Sequence, residues 1–454
     1  MIDFKRVAYK ELILWKEDDH RKPLVLRGAR QVGKTTMVRQ FAKAFDHYIE
    51  LNLEKLEHLE YIESSKNVQQ LADILSLEFK IPSSKWKNTL LFIDEIQESQ
   101  KAIGFLRLFY EELSALNVIA AGSLLEHSLH QVQHFPVGRI NYLYLFPLNF
   151  QEFLIATENQ QILDRINHIP VDEVTHKVAL KLFHTYCIIG GMPEIIANYR
   201  QHSDLTRLVP IYESIWNTYK DDISKYAESR TNQKIIRHVM QSASALVDQR
   251  VKFQNFGNSN YKSREIGEAF RSLDMAKIIQ IIYPCTNTET PALPDQKKSP
   301  RLQILDTGIL NFDLNIQAQL LTMDDLSSAY KGAIIPHLIT QELISLNKGS
   351  YQKPKFWVRD KTQSSAEVDL VRVFNGMLIP IEIKSGATGS LRSLHQFIDQ
   401  STHHFAIRIY GGVFKIETSK TRKGKTFYLM NLPYYLGTFI DDYLNYFIDI
   451  KGCK

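Results

Sequence analysis

Short apolar runs alternate with amphipathic segments along the first third of the chain. The runs at residues 23–27, 48–53, 89–93 and 117–121 have the length of buried strands, and segments with helical spacing of apolar residues separate them. Parallel strands joined by crossover helices produce this alternation. The pattern therefore predicts an α/β domain at residues 1–155, with a parallel sheet and helices on both of its faces.

The middle of the chain follows a mostly helical pattern. We predict a helical lid or connector at residues 156–225, then a helical region with a linker at residues 226–300. The linker is expected at residues 286–300, where Thr, Asn, Pro, Asp, Gln and Lys follow one another closely. At residues 263–282 the apolar spacing permits two interpretations, a helix-turn-helix unit of the winged-helix kind or a plain helical connector.

The pattern changes again in residues 301–454, which predict an α/β domain of mixed helix and strand. A helix is predicted at residues 331–346. Asn375-Gly376 lies between two strand-like runs and is a strong signal for a β-hairpin. The predicted strands lie near residues 355–359, 367–374, 377–385, 405–410 and 426–431.

Length and composition narrow the class of protein. The chain has 454 residues, enough for about three domains. Its 44% hydrophobic and 23% charged residues are ordinary globular usage, which argues against a mainly disordered or coiled-coil protein. The net charge of +5 permits contact with nucleic acid but does not require it. Three widely spaced cysteines exclude a disulfide framework, and no apolar run has the length of a membrane span, so we expect a cytoplasmic protein.

The most specific motif follows the first predicted strand. Residues 28–35 read G-x-x-x-x-G-K-T between a strand and a helix, which is the context that a phosphate-binding loop requires. The two glycines allow a tight curve whose N–H groups converge on phosphate oxygens, and the start of the next helix adds a positive field. Lys34 supplies a mobile charge for the β- and γ-phosphates, and the Thr35 hydroxyl suits Mg²⁺. The predicted nucleotide-binding residues are Gly28, Ala29, Arg30, Gln31, Val32, Gly33, Lys34, Thr35 and Thr36.

A second motif supplies carboxylates for the same site. An apolar strand ends in Asp94 and Glu95. Asp94 is placed to hold Mg²⁺ together with Thr35, and Glu95 to orient the attacking water. Two weaker candidates for catalytic residues follow. Ser123 is either a γ-phosphate sensor or a simple turn residue, and Arg139 is either an arginine finger or an ordinary surface arginine.

Together these motifs resemble the bacterial and archaeal AAA-type P-loop ATPases. The resemblance depends on residues 26–36 and 90–95 and on later segments that include Gly138-Arg139 and residues 146–153. With residues 186–193, the chain is similar to the subgroup that carries a C-terminal restriction-endonuclease-like domain. Relatives often have proline where this chain has Ala29, a position that contributes only backbone. The resemblance implies an ATPase that uses ATP and Mg²⁺.

A second group of chemically active residues lies on the predicted hairpin. Asp369 is on its first strand, while Glu382 and Lys384 are on the second and face the same side. The two carboxylates can hold a divalent cation, and Glu342 on the preceding helix is placed to add a third oxygen. Lys384 can stabilise a phosphate under attack. This is the D…E-x-K arrangement of the restriction-endonuclease-like, PD-(D/E)XK, fold.

Three functions are open at this point. The first is an Mg²⁺-dependent ATPase whose output is conformational. The second adds a nuclease-like C-terminal domain that binds DNA or RNA and cuts it with Asp369, Glu382 and Lys384. The third is a nucleotide-controlled switch with a degenerate nuclease domain, acting on a protein partner. A homo-oligomer is open as well, since Arg139 can serve its own subunit or a neighbour.

Overall fold

The chain divides into two compact units. The computed structural model describes residues 4–122, 138–227, 229–323, 326, 329–347, 349, 352–360, 366–384 and 391–452. The first unit contains Met1–Pro147, Met275–Ile278 and Asn347–Tyr351, and the second contains Leu148–Asp274, Ile279–Leu346 and Gln352–Lys454. The sequence pattern predicts boundaries near residues 155, 225 and 300, so the second unit joins three segments that the pattern separates.

A parallel sheet is the centre of the first unit. Its order is β2-β3-β4-β1-β5, and every neighbouring pair is parallel. This confirms the predicted parallel sheet. The strands are β1 (Leu24–Arg27), β2 (His47–Asn52), β3 (Thr89–Asp94), β4 (Asn117–Ala121) and β5 (Asn141–Tyr144). The helices are α1 (Tyr9–Glu17), α2 (Lys34–Ala42), α3 (Leu56–Ser64), α4 (Val68–Glu78) and α5 (Gln100–Glu112), with 3-10 turns at Ser83–Asn88 and Ile96–Glu98.

Every residue of β3 and β4 is buried. Because strand side chains alternate between the two faces of a sheet, both faces are covered at its centre. β1 lies between β4 and β5, and β3 lies on the far side of β4. The loop after β1 and the residues that end β3 therefore meet at the carboxyl edge of the sheet, where ligands bind in open parallel sheets.

The second unit begins with a helical region and ends with a mixed sheet. Its helices are α6 (Phe150–Ala156), α7 (Gln160–Ile166), α8 (Glu173–Ile189), α9 (Pro193–His202), α10 (Val209–Asp221), α11 (Ile223–Tyr226), α12 (Arg230–Ala243), α13 (Ser263–Met275), α14 (Thr307–Asp313), α15 (Gln317–Leu321), α16 (Ala329–Gly332), α17 (Ile334–Ser345), α18 (Arg392–Gln400) and α19 (Ile440–Gly452). Short 3-10 turns lie at Leu205–Leu208, Ser244–Leu246, Phe256–Asn258 and Tyr434–Phe439.

Two sheets belong to this unit. A two-stranded antiparallel sheet pairs β6 (Ile279–Ile282) with β8 (Arg301–Ile304). The larger sheet has seven strands in the order β13-β14-β12-β11-β10-β9-β7 and mixes parallel with antiparallel pairs. Its strands are β7 (Pro284–Cys285), β9 (Lys355–Val358), β10 (Glu367–Phe374), β11 (Met377–Ile383), β12 (Phe405–Tyr410), β13 (Lys415–Lys420) and β14 (Thr426–Pro433). The mixed α/β character agrees with the prediction, whereas the endonuclease-like identity of this sheet stays a prediction.

The predicted hairpin is present in the large sheet. β10 and β11 pair antiparallel up to Phe374 and Met377. Asn375 and Gly376 between them have φ of 46° and 74°. A two-residue turn with both φ values positive matches the twist of the strands that it joins.

Neither interpretation of residues 263–282, a helix-turn-helix unit or a plain helical connector, describes the whole segment. α13 ends at Met275, and Ile279–Ile282 is the strand β6. Lys277 has a φ of 63°, which takes the backbone out of the helical region before the isoleucine-rich run. β-branched residues favour a strand there. A helix-turn-helix unit within these residues is thereby excluded, and the broader winged-helix assignment stays a prediction.

Residues 286–300 form hydrogen bonds with elements of the second unit, next to the large sheet. β7, just before them, joins that sheet beside β9. The Thr288 hydroxyl donates to the Gln400 carbonyl at 3.2 Å, and the Thr290 hydroxyl to the Gly376 carbonyl at 2.8 Å. The threonines of this segment thus form hydrogen bonds within the second unit. Among the described residues, none of the helices has the length and apolar character needed to cross a bilayer.

Three glycines bring backbones into direct contact in the second unit. A Cβ at Gly191 would lie 2.1 Å from the Leu148 oxygen, and one at Gly308 would lie 2.1 Å from the Ile189 oxygen. Gly190 has a φ of 72°, and a Cβ there would meet the Asp306 carboxylate at 2.2 Å. We call Gly190, Gly191 and Gly308 the glycine joint. Only glycine fits at these contacts, which explains the Gly190-Gly191 pair in the sequence.

Asp306 secures the glycine joint. Its buried carboxylate accepts hydrogen bonds from the Gly191 N–H at 2.6 Å, from Gly308 at 2.9 Å and from Ile309 at 3.1 Å. The last two bonds cap the start of α14. Burial raises the pKa of Asp306 to about 6 even though these bonds favour its charged form.

Candidate functional site: a phosphate cradle and a carboxylate centre

The loop after β1 has the backbone of a phosphate cradle. Gly28 and Gly33 have φ of 148° and 93°. A Cβ at Gly28 would lie 2.2 Å from the Leu145 oxygen, so no side chain fits there. Gly33 caps α2 in a left-handed conformation, and the N–H groups of the first turn of α2 point back into the loop. Glycine is therefore required at the two positions that the motif specifies.

Lys34 lies folded over this loop. Its ammonium donates to the Gly28 carbonyl at 3.0 Å and to the Ala29 carbonyl at 2.8 Å. Burial lowers the pKa of Lys34 to about 8, and the carboxylates of Glu95 and Asp94 oppose that shift. An ammonium whose hydrogen bonds within the described residues go to these two carbonyl oxygens is suited to exchange them for phosphate oxygens.

Thr35 and Asp94 are brought together from α2 and β3. The Thr35 hydroxyl donates to Asp94 Oδ2 at 2.8 Å, and the Glu95 N–H donates to Asp94 Oδ1 at 3.1 Å. Burial raises the pKa of Asp94, and these hydrogen bonds oppose the shift. The predicted pair of hard oxygen ligands therefore exists as a direct contact.

Glu95 stands on a strained turn beside this pair. It has a φ of 52° and is half-buried. Gln97 holds the Glu95 carboxylate by an amide hydrogen bond of 2.6 Å. The other end of that amide, Gln97 Oε1, is buried without a hydrogen-bond partner in the described part of the chain. The motif did not single out Gln97, although it lies two residues after the carboxylate predicted to be catalytic.

The remaining predicted nucleotide-binding residues occupy the same loop and helix start. Val32 is buried and Gln31 is exposed with a left-handed φ of 61°. The half-buried residues are Arg30 and Thr36.

The hairpin of the second unit collects three predicted residues. The Ile383 N–H donates to Asp369 Oδ2 at 2.8 Å, so this carboxylate reaches across from β10 to β11. Lys384 Nζ lies 2.8 Å from Glu382 Oε1. Asp369 also raises the pKa of Glu382, so the two carboxylates interact. The structure thus brings together Asp369, Glu382 and Lys384.

An arginine that the sequence did not predict lies among them. Arg301 Nη1 is 3.1 Å from Asp248 Oδ1, and its Nη2 is 3.5 Å from Asp369 Oδ1. Nη2 also forms an ion pair and hydrogen bond with Glu367. Only 13% of the Arg301 side chain is exposed. We call Asp248, Glu367, Asp369 and Glu382, with Arg301 and Lys384, the carboxylate centre.

Burial has an unusual effect on the acids of the carboxylate centre. It raises the pKa of Glu382 to about 7, and the pKa of Asp248 also to about 7, against the attraction of Arg301. Glu382 Oε2 is buried and has no hydrogen-bond partner among the residues that the structure describes. Desolvation thus outweighs the neighbouring cations for both acids.

Glu342 is not part of this centre. Its carboxylate accepts the Phe150 N–H with both oxygens, at 3.2 and 3.1 Å, and the Tyr186 hydroxyl at 2.7 Å. It is completely buried, and burial raises its pKa to about 8. The structure therefore directs the Glu342 carboxylate from α17 to the first residue of α6, and among the described residues it makes no hydrogen bond or ion pair with Asp369 or Glu382. Within the described ranges, no group of three or more His, Cys, Asp or Glu residues could hold a metal ion.

Comparison with known proteins identifies the first of these two sites. A family model described as an AAA domain matches residues 20–154. Residues 20–154 are an AAA-type P-loop ATPase domain. Two more family models, each described as a domain of unknown function, match residues 180–320 (DUF8612) and 331–435 (DUF4143). The cradle lies inside the AAA domain, and Asp369, Glu382 and Lys384 lie inside the last match.

Solved structures show distant likenesses of fold. The chain is similar to the Walker-type ATPase PABY2304 of Pyrococcus abyssi, with 15% identity and a TM-score of 0.44, over 69% of this chain and 96% of that chain. It is similar to the STAND protein PH0952 from Pyrococcus horikoshii, with 13% identity and a TM-score of 0.28, over 76% of this chain and 49% of that chain. No curated protein matches. The AAA assignment depends on the family match and on the cradle.

The two weaker predictions in the AAA domain differ in outcome. Ser123 lies outside the described residues. Arg139 is at the surface with 47% of its side chain exposed, and its Nε lies 3.1 Å from Glu111 Oε1 on α5. The structure thus gives Arg139 an ion pair within the AAA domain, and its role as an arginine finger stays a prediction.

Arg6 contacts the cradle loop from outside it, and sequence reasoning missed this residue. Its guanidinium donates to the Val32 carbonyl at 2.9 Å and to the Phe146 carbonyl at 2.6 Å. It therefore ties the loop to the segment after β5. Because both partners are backbone carbonyls, no motif records the contact, and only the burial of an arginine reveals it.

Proposed function

We propose that this protein is an Mg²⁺-dependent ATPase that binds and hydrolyses ATP in its AAA domain. The observation that carries the proposal is the meeting of Lys34, Thr35 and Asp94 at a loop whose two motif glycines have positive φ values. A family match to an AAA domain supports it.

The cradle residues would act on the phosphates of ATP. Lys34 would exchange the Gly28 and Ala29 carbonyls for β- and γ-phosphate oxygens. The donor set of Thr35 and Asp94 fits Mg²⁺, since both supply hard oxygens and already touch. When bound there, Mg²⁺ supplies neutralisation of phosphate charge.

Glu95 would orient the attacking water and accept its proton. Its position directly after Asp94 places it beside the Mg²⁺ ligand, and Gln97 fixes one of its oxygens. Glu95 is half-buried, so part of it stays in contact with solvent. Gln97 is thus a positioning residue in this proposal.

Calorimetry and phosphate release test the ATPase proposal. Wild-type protein is expected to bind Mg-ATP and to release phosphate, and Lys34→Ala to lose both. Lys43→Ala, at the exposed end of α2, is the matched control and should behave as wild type. Undiminished turnover in Lys34→Ala would refute the proposal.

We propose as a second candidate a nucleotide-controlled switch whose C-terminal domain is a degenerate nuclease-like fold that acts on a protein partner. The ion pair of Arg301 with Asp369 favours it over cleavage of DNA or RNA, because it engages a carboxylate that cleavage would require. ATP turnover measured with and without single-stranded DNA, duplex DNA and RNA distinguishes the two. Stimulation by a nucleic acid, or Mn²⁺-dependent nicking of a plasmid that Asp369→Asn abolishes, would refute the switch.

A further inference from the structure

The carboxylates of the hairpin pair with cationic side chains of the same chain. Glu367 and Asp369 face Arg301, and Glu382 faces Lys384. Arg250 adds a further cation 3.9 Å from Glu367. Each carboxylate of the hairpin therefore has a cationic partner among the described residues.

Arg301 is held in place by its backbone. It begins β8, which pairs with β6, and it forms a bridge with Arg250. The Val251 N–H donates to the carbonyl of Pro300, the residue before Arg301, at 2.8 Å. The guanidinium also stacks over the Phe356 ring at 4.7 Å. These contacts fix the backbone of Arg301 and give its guanidinium an aromatic surface to pack on.

The residues present do not fit a divalent cation while Arg301 is there. Asp369 Oδ2 accepts the Ile383 N–H, and Asp369 Oδ1 faces the guanidinium. Glu382 Oε1 is engaged by Lys384, which leaves Glu382 Oε2 as the open oxygen of the pair. Hard divalent cations need several oxygen ligands, and a neighbouring guanidinium repels them.

We propose that Arg301 is a built-in counter-ion that closes the Asp369–Glu382 pair to divalent cations. The arginine comes from residues 180–320, which match one domain of unknown function, and the acids from residues 331–435, which match the other. The middle region of the chain thereby controls the ionic state of the C-terminal sheet. This inference is independent of the proposed ATPase activity.

Binding of Mn²⁺, followed by electron paramagnetic resonance without nucleotide, tests the proposal. All proteins carry Asp94→Asn, so that the Mg²⁺ ligands of the AAA domain do not contribute. With Arg301 present we expect no Mn²⁺ binding that depends on Asp369. Arg301→Gln should gain saturable binding, and adding Asp369→Asn should abolish it. Arg372→Gln is the matched control, because Arg372 lies on the same hairpin but pairs with Asp441, and it should gain nothing.

Two outcomes would overturn the proposal. One is Mn²⁺ binding with Arg301 present that Asp369→Asn removes. The other is a folded Arg301→Gln protein that gains no binding. Arg301→Met is the second variant if Arg301→Gln does not fold, because its unbranched apolar chain can pack on Phe356 without a charge. A rise in melting temperature with Mn²⁺ in either variant, absent from the parent protein, would support the closed centre independently.

Discussion

The cradle and the carboxylate centre use the same kinds of side chain in opposite ways. Each contains a lysine and acidic residues with little exposure to water. In the cradle, Lys34 rests on neutral carbonyls, which phosphate oxygens can replace. In the carboxylate centre, Lys384 and Arg301 already face carboxylates of the same chain. A motif reports which groups are present, and the partners of those groups decide whether a ligand can enter.

The largest effect is expected when one partner of the closed centre is removed. Arg301→Ala should lower the free energy of unfolding of the second unit by about 3 kcal/mol, because it leaves three half-buried carboxylates without this partner. Arg372→Ala breaks a more exposed pair, with 28% and 43% of the two side chains accessible, and should cost about 1 kcal/mol or less. Urea denaturation measures both. Equal losses of unfolding free energy in the two variants would contradict the expected difference between the ion pairs of Arg301 and the more exposed pair of Arg372.

In the phosphate cradle, replacing the proposed general base Glu95 should lower ATP turnover and leave Mg-ATP binding intact. We expect Glu95→Gln to reduce ATP turnover by about 100-fold or more, since general base catalysis contributes on that scale. Affinity for Mg-ATP, measured by calorimetry, should stay at the wild-type value. Glu98→Gln changes an exposed neighbouring carboxylate and serves as the control. A parallel loss of affinity and turnover in Glu95→Gln would indicate a role in binding instead.

The affinity of the phosphate cradle for Mg-ATP should depend on pH through the protonation state of Lys34. The pKa of its ammonium lies at about 8 because of burial, below the usual value. Phosphate binding favours the charged form, so affinity for Mg-ATP should be constant below pH 8 and fall above it, by at most about tenfold per pH unit. Calorimetric titrations from pH 7 to 9.5 measure this. A flat profile in the wild type would contradict the role of Lys34, and Lys34→Ala should lack the dependence.

The smallest effect is expected at the surface of the AAA domain. The pair between Arg139 and Glu111 is exposed, so Arg139→Ala should change the free energy of unfolding by about 1 kcal/mol or less. Thermal denaturation measures that change, and phosphate release on the same variant separates the two interpretations of Arg139. A large loss of turnover with unchanged stability would identify it as an arginine finger.

What the sequence predicted well is local along the chain. Gly28, Gly33 and Lys34 lie within one loop, and strand spacing alone places Asp94 at the same sheet edge. The hairpin at Asn375-Gly376 was readable for the same reason, because two residues decide the turn. Such features need no knowledge of distant partners.

What the sequence could not predict depends on distant partners. Arg301 meets Glu367, which is 66 residues away, and it lies in a region where the pattern predicts a domain boundary. Glu342 was placed correctly on a helix, yet its carboxylate bonds Phe150, which is 192 residues away. Neither contact leaves a periodic or compositional signal, so neither could be inferred before the chain was folded.

The glycine joint has a mechanical consequence. Where side chains separate two segments, small displacements are absorbed by a change of rotamer; between Gly191 and Leu148, or Gly308 and Ile189, main chain rests on main chain. The glycine joint therefore cannot adjust gradually: its segments either stay in contact or separate. Any motion of α8 must carry the start of α14 with it as one piece.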